Sequence, residues 1–157
     1  MREIFLIRHA KAVDRENWKG DDCDRPLKEK GRKEFRAFAE RIKNLFPEKL
    51  TIVSSPCARA LETAQVLSDV IGADVKTTEL LFPDADVDDY LKVLKKFDGD
   101  IAIVAHQPDL SIFLNELVCI NPSRIKFKKG GVVKVVKKDG RFFLEWFMTP
   151  LAVEDIE

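Results

Sequence analysis

Ile4-Phe5-Leu6-Ile7-Arg8-His9 is the stretch whose reading decides the fold. Four consecutive apolar residues followed by polar ones read as a buried strand whose last two side chains emerge at its C-terminal end. Open α/β sheets bind their ligands at that end. The pattern recurs once: Ile101-Ala102-Ile103-Val104-Ala105 is a second apolar run, and it too closes on a histidine, His106. The chain has two histidines, and each ends a candidate core strand. A single such histidine is most simply a hydrogen-bonded structural residue. Two with the same placement point to a shared site.

Outward from the first strand, residues 10–25 are polar and charged, with Trp18 and Gly20 among them, and read as a loop over the strand's mouth. Over residues 28–46, Phe35, Phe38, Ala39, Ile42, Leu45 and Phe46 keep the three-and-four spacing of an amphipathic helix that Pro47 ends. Leu50-Thr51-Ile52-Val53 is a second strand; Ser55 suits an N-cap and Pro56 a first helical residue, and Gly72 is placed to stop that helix. Arg59 then lies in or just after the first turn, where the helix already favours an anion. Val75-Lys76-Thr77 reads as a third strand. Val87, Tyr90, Leu91 and Leu94 mark a third helix, with Asp84 or Asp86 as its cap.

Gln107-Pro108 opens a fourth helix after the strand that ends at His106, with Leu110, Phe113, Leu114 and Leu117 facing inward. The period then changes. Residues 132–136 and 142–147 flank Lys138-Asp139-Gly140, a β-hairpin signal. Strand and helix alternate four times before the hairpin. The expected fold is a three-layer α/β/α sandwich with a mostly parallel central sheet and a C-terminal β-hairpin, forming one domain over residues 1–157.

Lysine plus arginine number 27 and aspartate plus glutamate 27, so no overall field draws nucleic acid or an anionic membrane; anion affinity must come from a few convergent residues. Cys23, Cys57 and Cys119 are widely spaced with no C-x-x-C pair, which indicates neither a disulfide framework nor a zinc site. A reducing compartment follows from that reading. With no signal-peptide core and no run of membrane-spanning length, the expectation is a cytoplasmic protein. The acidic residues between Asp84 and Asp89 read as a helix start rather than a metal site, and no cofactor is indicated.

If the sheet gathers the two strand ends and the start of the Arg59 helix, one pocket holds Arg8, His9, Arg59 and His106. Two guanidiniums offering paired N–H bonds, with imidazoles and a helix terminus beside them, suit the oxygens of a phosphoryl group. An imidazole titrating near 6.5 is largely neutral at pH 7, with a ring nitrogen free to attack phosphorus. The product of attack is an N-phosphohistidine that water hydrolyses in a second step.

The blocks Leu6-Ile7-Arg8-His9-Ala10, Arg25-Pro26-Leu27 followed by Gly31, Ser54-Ser55-Pro56 with Arg59-Ala60 and Thr63-Ala64, and Val104-Ala105-His106-Gln107-Pro108 resemble, in order, the signatures of the histidine phosphatase superfamily (phosphoglycerate mutase-like). Within it they are most similar to the SixA-type phosphohistidine phosphatases, down to Met148-Thr149-Pro150. The resemblance implies His9 as nucleophile, Arg8 and Arg59 as phosphate ligands, and His106 as a second phosphate-binding histidine. It brings Arg25 to the substrate from the loop, unless that side chain only braces the loop. It makes Glu79 the counterpart of the general acid in sugar-phosphate members, against a surface or bracing role; SixA-type members are thought to manage without a clear acid.

Lys28 and Glu62 stand where threonine and glutamine are more usual, which implies a lost helix cap and a lost polar contact. The substrate implied is a phosphoprotein, itself phosphorylated on histidine, with no metal or cofactor required. The alternatives are a phosphomonoesterase or mutase for a small phosphorylated substrate, a non-catalytic phosphate-binding module, and a two-histidine metal enzyme.

Overall fold

The computed structural model describes residues 1–150, so the last seven residues of the expected 1–157 domain lie outside the described residues. Six strands form one sheet in the order β3-β2-β4-β1-β5-β6. They are β1 (Arg2–Arg8), β2 (Thr51–Ser54), β3 (Asp74–Thr77), β4 (Ile101–Ala105), β5 (Val132–Lys138) and β6 (Arg141–Met148). The first four run parallel, β1 beside β4 and β2 between β4 and β3. The hairpin β5–β6 adds two antiparallel strands on the far side of β1, turning at Asp139-Gly140 with both φ angles positive.

Alternate residues of the central strands face opposite layers, and both faces are covered, which is why these strands are apolar throughout. Phe5 and Ile7 of β1 pack with Phe35 and Phe38 of α1 (Glu29–Ile42) and Ala64 and Leu67 of α2 (Ala58–Ile71). Ile4 and Leu6 face the other layer, with Tyr90 and Leu94 of α3 (Val87–Lys96) and Phe113 and Leu114 of α4 (Asp109–Val118). The architecture is the expected three-layer sandwich.

Several local expectations shift. Helix α2 begins at Ala58, two residues after Pro56, because the Ser55 hydroxyl instead accepts the Cys57 N–H in a turn (3.2 Å). Asp86 is the α3 cap, in a reciprocal capping box with Asp89, whereas Asp84 adopts a left-handed conformation in the turn before it. Lys28 gives α1 no side-chain cap, as implied. Glu62 loses no contact: its carboxylate accepts the Leu27 N–H (3.1 Å) and pairs with Arg32 (2.8 Å).

Cys23 and Cys57 correct the cysteine reading: they form a disulfide. It fastens the segment after β1, which carries two short 3-10 turns, to the start of α2. The inference from cysteine usage to a reducing, cytoplasmic compartment loses its premise. Among the described residues no helix is long and apolar enough to cross a membrane.

This segment, the strap, is also held against α1. Val13 N–H donates to Pro26 O (2.9 Å), and Lys28 N–H to Lys11 O (2.9 Å). Gly31 makes the approach possible, since a Cβ there would stand 2.3 Å from the Lys11 carbonyl oxygen. In an exposed helix, glycine to alanine stabilises by about 1 kcal/mol; here the sign reverses. Gly31→Ala is expected to cost about 1–3 kcal/mol, the usual range for overpacking, measured by urea denaturation.

Candidate functional site

β1 and β4 are paired in parallel from Ile4↔Ile101 to Arg8↔Ala105, and the His9 N–H continues the ladder to Ala105 O (3.2 Å). The two histidines therefore leave the sheet side by side, ring centroids 5.6 Å apart. Arg59 reaches the same place from the first turn of α2. Arg8, His9, Arg25, Arg59 and His106 all line one cavity of about 620 Å³, together with Asp22. Glu79 is not brought there: it lines a neighbouring cleft beyond the Pro83-Asp84 turn.

Both imidazoles are buried. The His9 Nδ1 lies 2.7 Å from the Ala10 carbonyl, which can only accept, so the neutral ring carries its proton there and leaves Nε2 with a lone pair. Burial, reinforced by His106, Arg59 and Arg8 and opposed by the Ala10 bond, pushes His9 down to about 3. His106 falls to about 3 through burial and then the Arg59 charge, with Asp22 pulling the other way. Its Nε2 lies 2.8 Å from the Ser55 hydroxyl.

The guanidiniums are oriented by backbone carbonyls. Arg8 Nη1 donates to Phe127 O (2.7 Å), and Arg59 Nη1 to Asp22 O (2.9 Å). Burial lowers both arginines from their ordinary value, yet both remain cationic at neutral pH. Thr63 locks α2 to the segment that follows β1, accepting the Ala10 N–H (3.0 Å) and donating to Arg59 O (2.7 Å).

Sequence reasoning missed Asp22. Its carboxylate accepts from Arg25 Nε (3.0 Å) and Arg59 Nη2 (3.2 Å) and lies 3.5 Å from Arg15. Burial works to raise this carboxyl, but the Arg25 bond and then the Arg59, Arg25 and Arg15 charges outweigh it and hold it below its usual range. Arg25 also donates to Val13 O (2.6 Å), so it braces the strap and lines the pocket at once. The signal for Asp22 was faint: one acid among five between Asp14 and Asp24, adjacent to a cysteine whose partner was not evident.

The Histidine phosphatase superfamily (branch 1) family model matches residues 4–82, half of the chain. The chain belongs to the histidine phosphatase superfamily. Membership makes it a phosphatase, and the matched segment holds Arg8, His9, Arg25 and Arg59; His106 joins them from beyond it. Solved structures of the superfamily's fold include the protein histidine phosphatase SixA complexed with tungstate (TM-score 0.82, 24% identity, covering 96% of this chain and 99% of that one). Another is phosphoserine phosphatase in complex with 3-phosphoglyceric acid from Entamoeba histolytica (TM-score 0.74, 19% identity, 95% and 98%). At these identities the likeness is one of fold. In sequence the chain is 28% identical over 137 residues, 83% of its length and 82% of the other's, to an uncharacterized protein of Picosynechococcus.

Two outcomes follow from this geometry. The unfolded rings titrate near 6.5 and the folded ones near 3, so between these values the unfolded chain binds more protons. The stability the neutral rings contribute is full above 6.5 and is lost as pH falls toward 3. The melting temperature of the wild type should therefore drop more steeply between about pH 7 and pH 4 than that of His9→Gln; equal slopes would contradict the burial argument. Separately, replacing both Cys23 and Cys57 by serine opens a link spanning 34 positions. That should cost about 3–4 kcal/mol by the loop-entropy relation and raise KM by loosening Asp22 and Arg25, as read by thermal unfolding and steady-state kinetics.

Proposed function

We propose that this phosphatase is metal-independent and acts through a phosphohistidine on His9, with a protein phosphorylated on histidine as substrate. One observation carries the reading. Among the described residues five buried side-chain polar atoms have no hydrogen-bond partner, and three of them, Arg8 Nε, Arg59 Nε and His106 Nδ1, belong to residues lining the His9 pocket. Buried groups left unpaired are rare and cost about 1–3 kcal/mol each. A tetrahedral anion with several lone pairs per oxygen is the ligand that would pair all three.

In this scheme His9 Nε2 attacks phosphorus; its N–P bond forms as the bond to the leaving group breaks. Water then attacks the phosphohistidine, releasing inorganic phosphate and restoring the neutral ring. Arg8 and Arg59 hold the equatorial oxygens. His106 contributes as a neutral donor: with the Ser55 hydroxyl, which already accepts the Cys57 N–H, donating to Nε2, the proton of His106 is on Nδ1 and faces an oxygen.

The leaving group supports the phosphoramidate. Glu79 lies in the neighbouring cleft; of the three carboxylates that line the pocket, Asp14 and Asp22 are ion-paired, and Asp84 stands on the turn shared with that cleft. A histidine leaving group takes its proton from solvent more readily than an alkoxide does, so no poised acid is required.

Incubation of the enzyme with a phosphohistidine protein, followed by alkaline quench and intact mass measurement, should show a gain of one phosphoryl group that acid removes. His9→Ala should show none, and Arg59→Ala should lower kcat/KM on the order of 10²- to 10³-fold. Glu79→Gln should leave phosphohistidine turnover intact. An adduct that survives in His9→Ala, or turnover confined to small phosphate esters, would overturn the proposal.

A further inference from the structure

A second groove adjoins the catalytic pocket. It measures about 420 Å³, shares Arg8 and Lys129 with the pocket and runs between Lys11, Lys128 and Glu34 toward Thr149 and Pro150. Four cationic side chains face one carboxylate there. That carboxylate, Glu34, is already committed to Lys11 (2.9 Å). Among the described residues neither Lys128 nor Lys129 has an ion-pair partner, and both are exposed to an incoming ligand.

The placement of these lysines is fixed by the nucleophile strand itself. Gly130 N–H donates to both Arg8 O and His9 O (3.0 Å each), Arg8 N–H donates to Gly131 O (3.1 Å), and Gly131 N–H closes a turn onto Lys128 O (2.9 Å). Gly130 has a φ of +77°, and a Cβ there would press on Phe35 and Pro150 at 3.3 and 3.2 Å. The paired glycines thus let the turn lie against the end of β1, with Lys129 at its apex beside Arg8. Burial, and then the Arg8 charge, lowers the Lys129 ammonium from its ordinary value; Arg25 and Lys28 act in the same direction and Asp14 against it. Lys129 feels the charges of the pocket.

We propose that this groove is a second anion subsite, in which Lys128 and Lys129 hold a carboxylate carried by the same substrate molecule whose phosphoryl group enters the His9 pocket. The inference rests on the phosphatase reading above and adds a substrate class: a phosphorylated residue flanked by acidic side chains. A small phosphorylated carboxylic acid offers the same pair of charges, so the test has two arms.

In the first arm, propylphosphonate and 3-phosphonopropionate, which differ by the carboxylate, compete against p-nitrophenyl phosphate. In the second, kcat/KM is compared for two phosphohistidine peptides, one with glutamates and one with alanines beside the phosphorylated residue. The wild type should prefer the acidic member of the peptide pair about fivefold, as an exposed charge pair allows, and the double variant Lys128→Met, Lys129→Met should reduce that ratio to near one. Lys129→Glu should invert it, and circular dichroism checks that each variant is folded. A wild type indifferent to the carboxylate in both arms, or a preference that survives in the double variant, overturns the subsite. A preference confined to the phosphonates overturns the flanking-acid assignment. Loss of turnover on every phosphohistidine peptide, with the phosphonate preference and its lysine dependence intact, identifies a failure of the substrate reading rather than of the subsite.

Discussion

The parallel pairing of β1 with β4 is the constraint from which the site follows. Its register ends at Arg8 opposite Ala105, so the next residue on each strand is a histidine, and the two rings emerge together. A shift of one residue in either strand would send one ring into the opposite layer, because successive side chains of a strand alternate faces. The register is secured by burial on both sides of the sheet: Phe5 and Ile7 belong to one layer, Ile4 and Leu6 to the other. The core therefore sets the spacing of the two imidazoles, and the site inherits its rigidity from side chains that lie outside the pocket.

Around those two strands everything else supplies charge. Helix α2 brings Arg59, tied to the His9 strand through Thr63, and the strap brings Arg25 and Asp22. The low values of both histidines have the same origin as the exposed need for an anion: buried rings surrounded by guanidiniums cannot take on a further positive charge. A neutral imidazole is the nucleophilic form, so under the proposed mechanism the same cationic surroundings that would hold a phosphoryl group keep His9 in the state that attack requires.

The sequence made some of this visible and concealed the rest for physical reasons. Strands buried on two faces write continuous apolar runs, and helices covering them write a three-and-four period, so the layers, the sheet and the hairpin could be read directly. Arg8, His9, Arg59 and His106 stood at element ends, where position along the chain predicts position in space. Cys23 and Cys57 did not: their pairing depends on how an aperiodic loop folds back over α2, and loops carry no period. Asp22 was hidden for the same reason. The Lys128-Lys129 turn was hidden because its location depends on antiparallel closure of β5 on β1, a contact over more than a hundred residues. Glu79 shows the converse limit: its place in the chain after β3 left a general-acid and a bracing role both open, and the 3-10 turn there directs it into the next cleft.

Asp22 makes sense once the charge balance of the pocket is considered without a ligand. Arg8, Arg25 and Arg59 converge on one cavity, and their mutual repulsion would open it if nothing opposed them. A permanently buried counter-ion would solve this but would also compete with substrate at full strength. Asp22 is half exposed, carried on a strap rather than on a strand, and paired with Arg59 through one oxygen and Arg25 through the other. Water screens that pairing more than it would a buried one. The disulfide at the adjacent Cys23 fastens the strap to the start of α2, so the Asp22 carboxylate is held within reach of the two arginines it balances, Arg25 and Arg59.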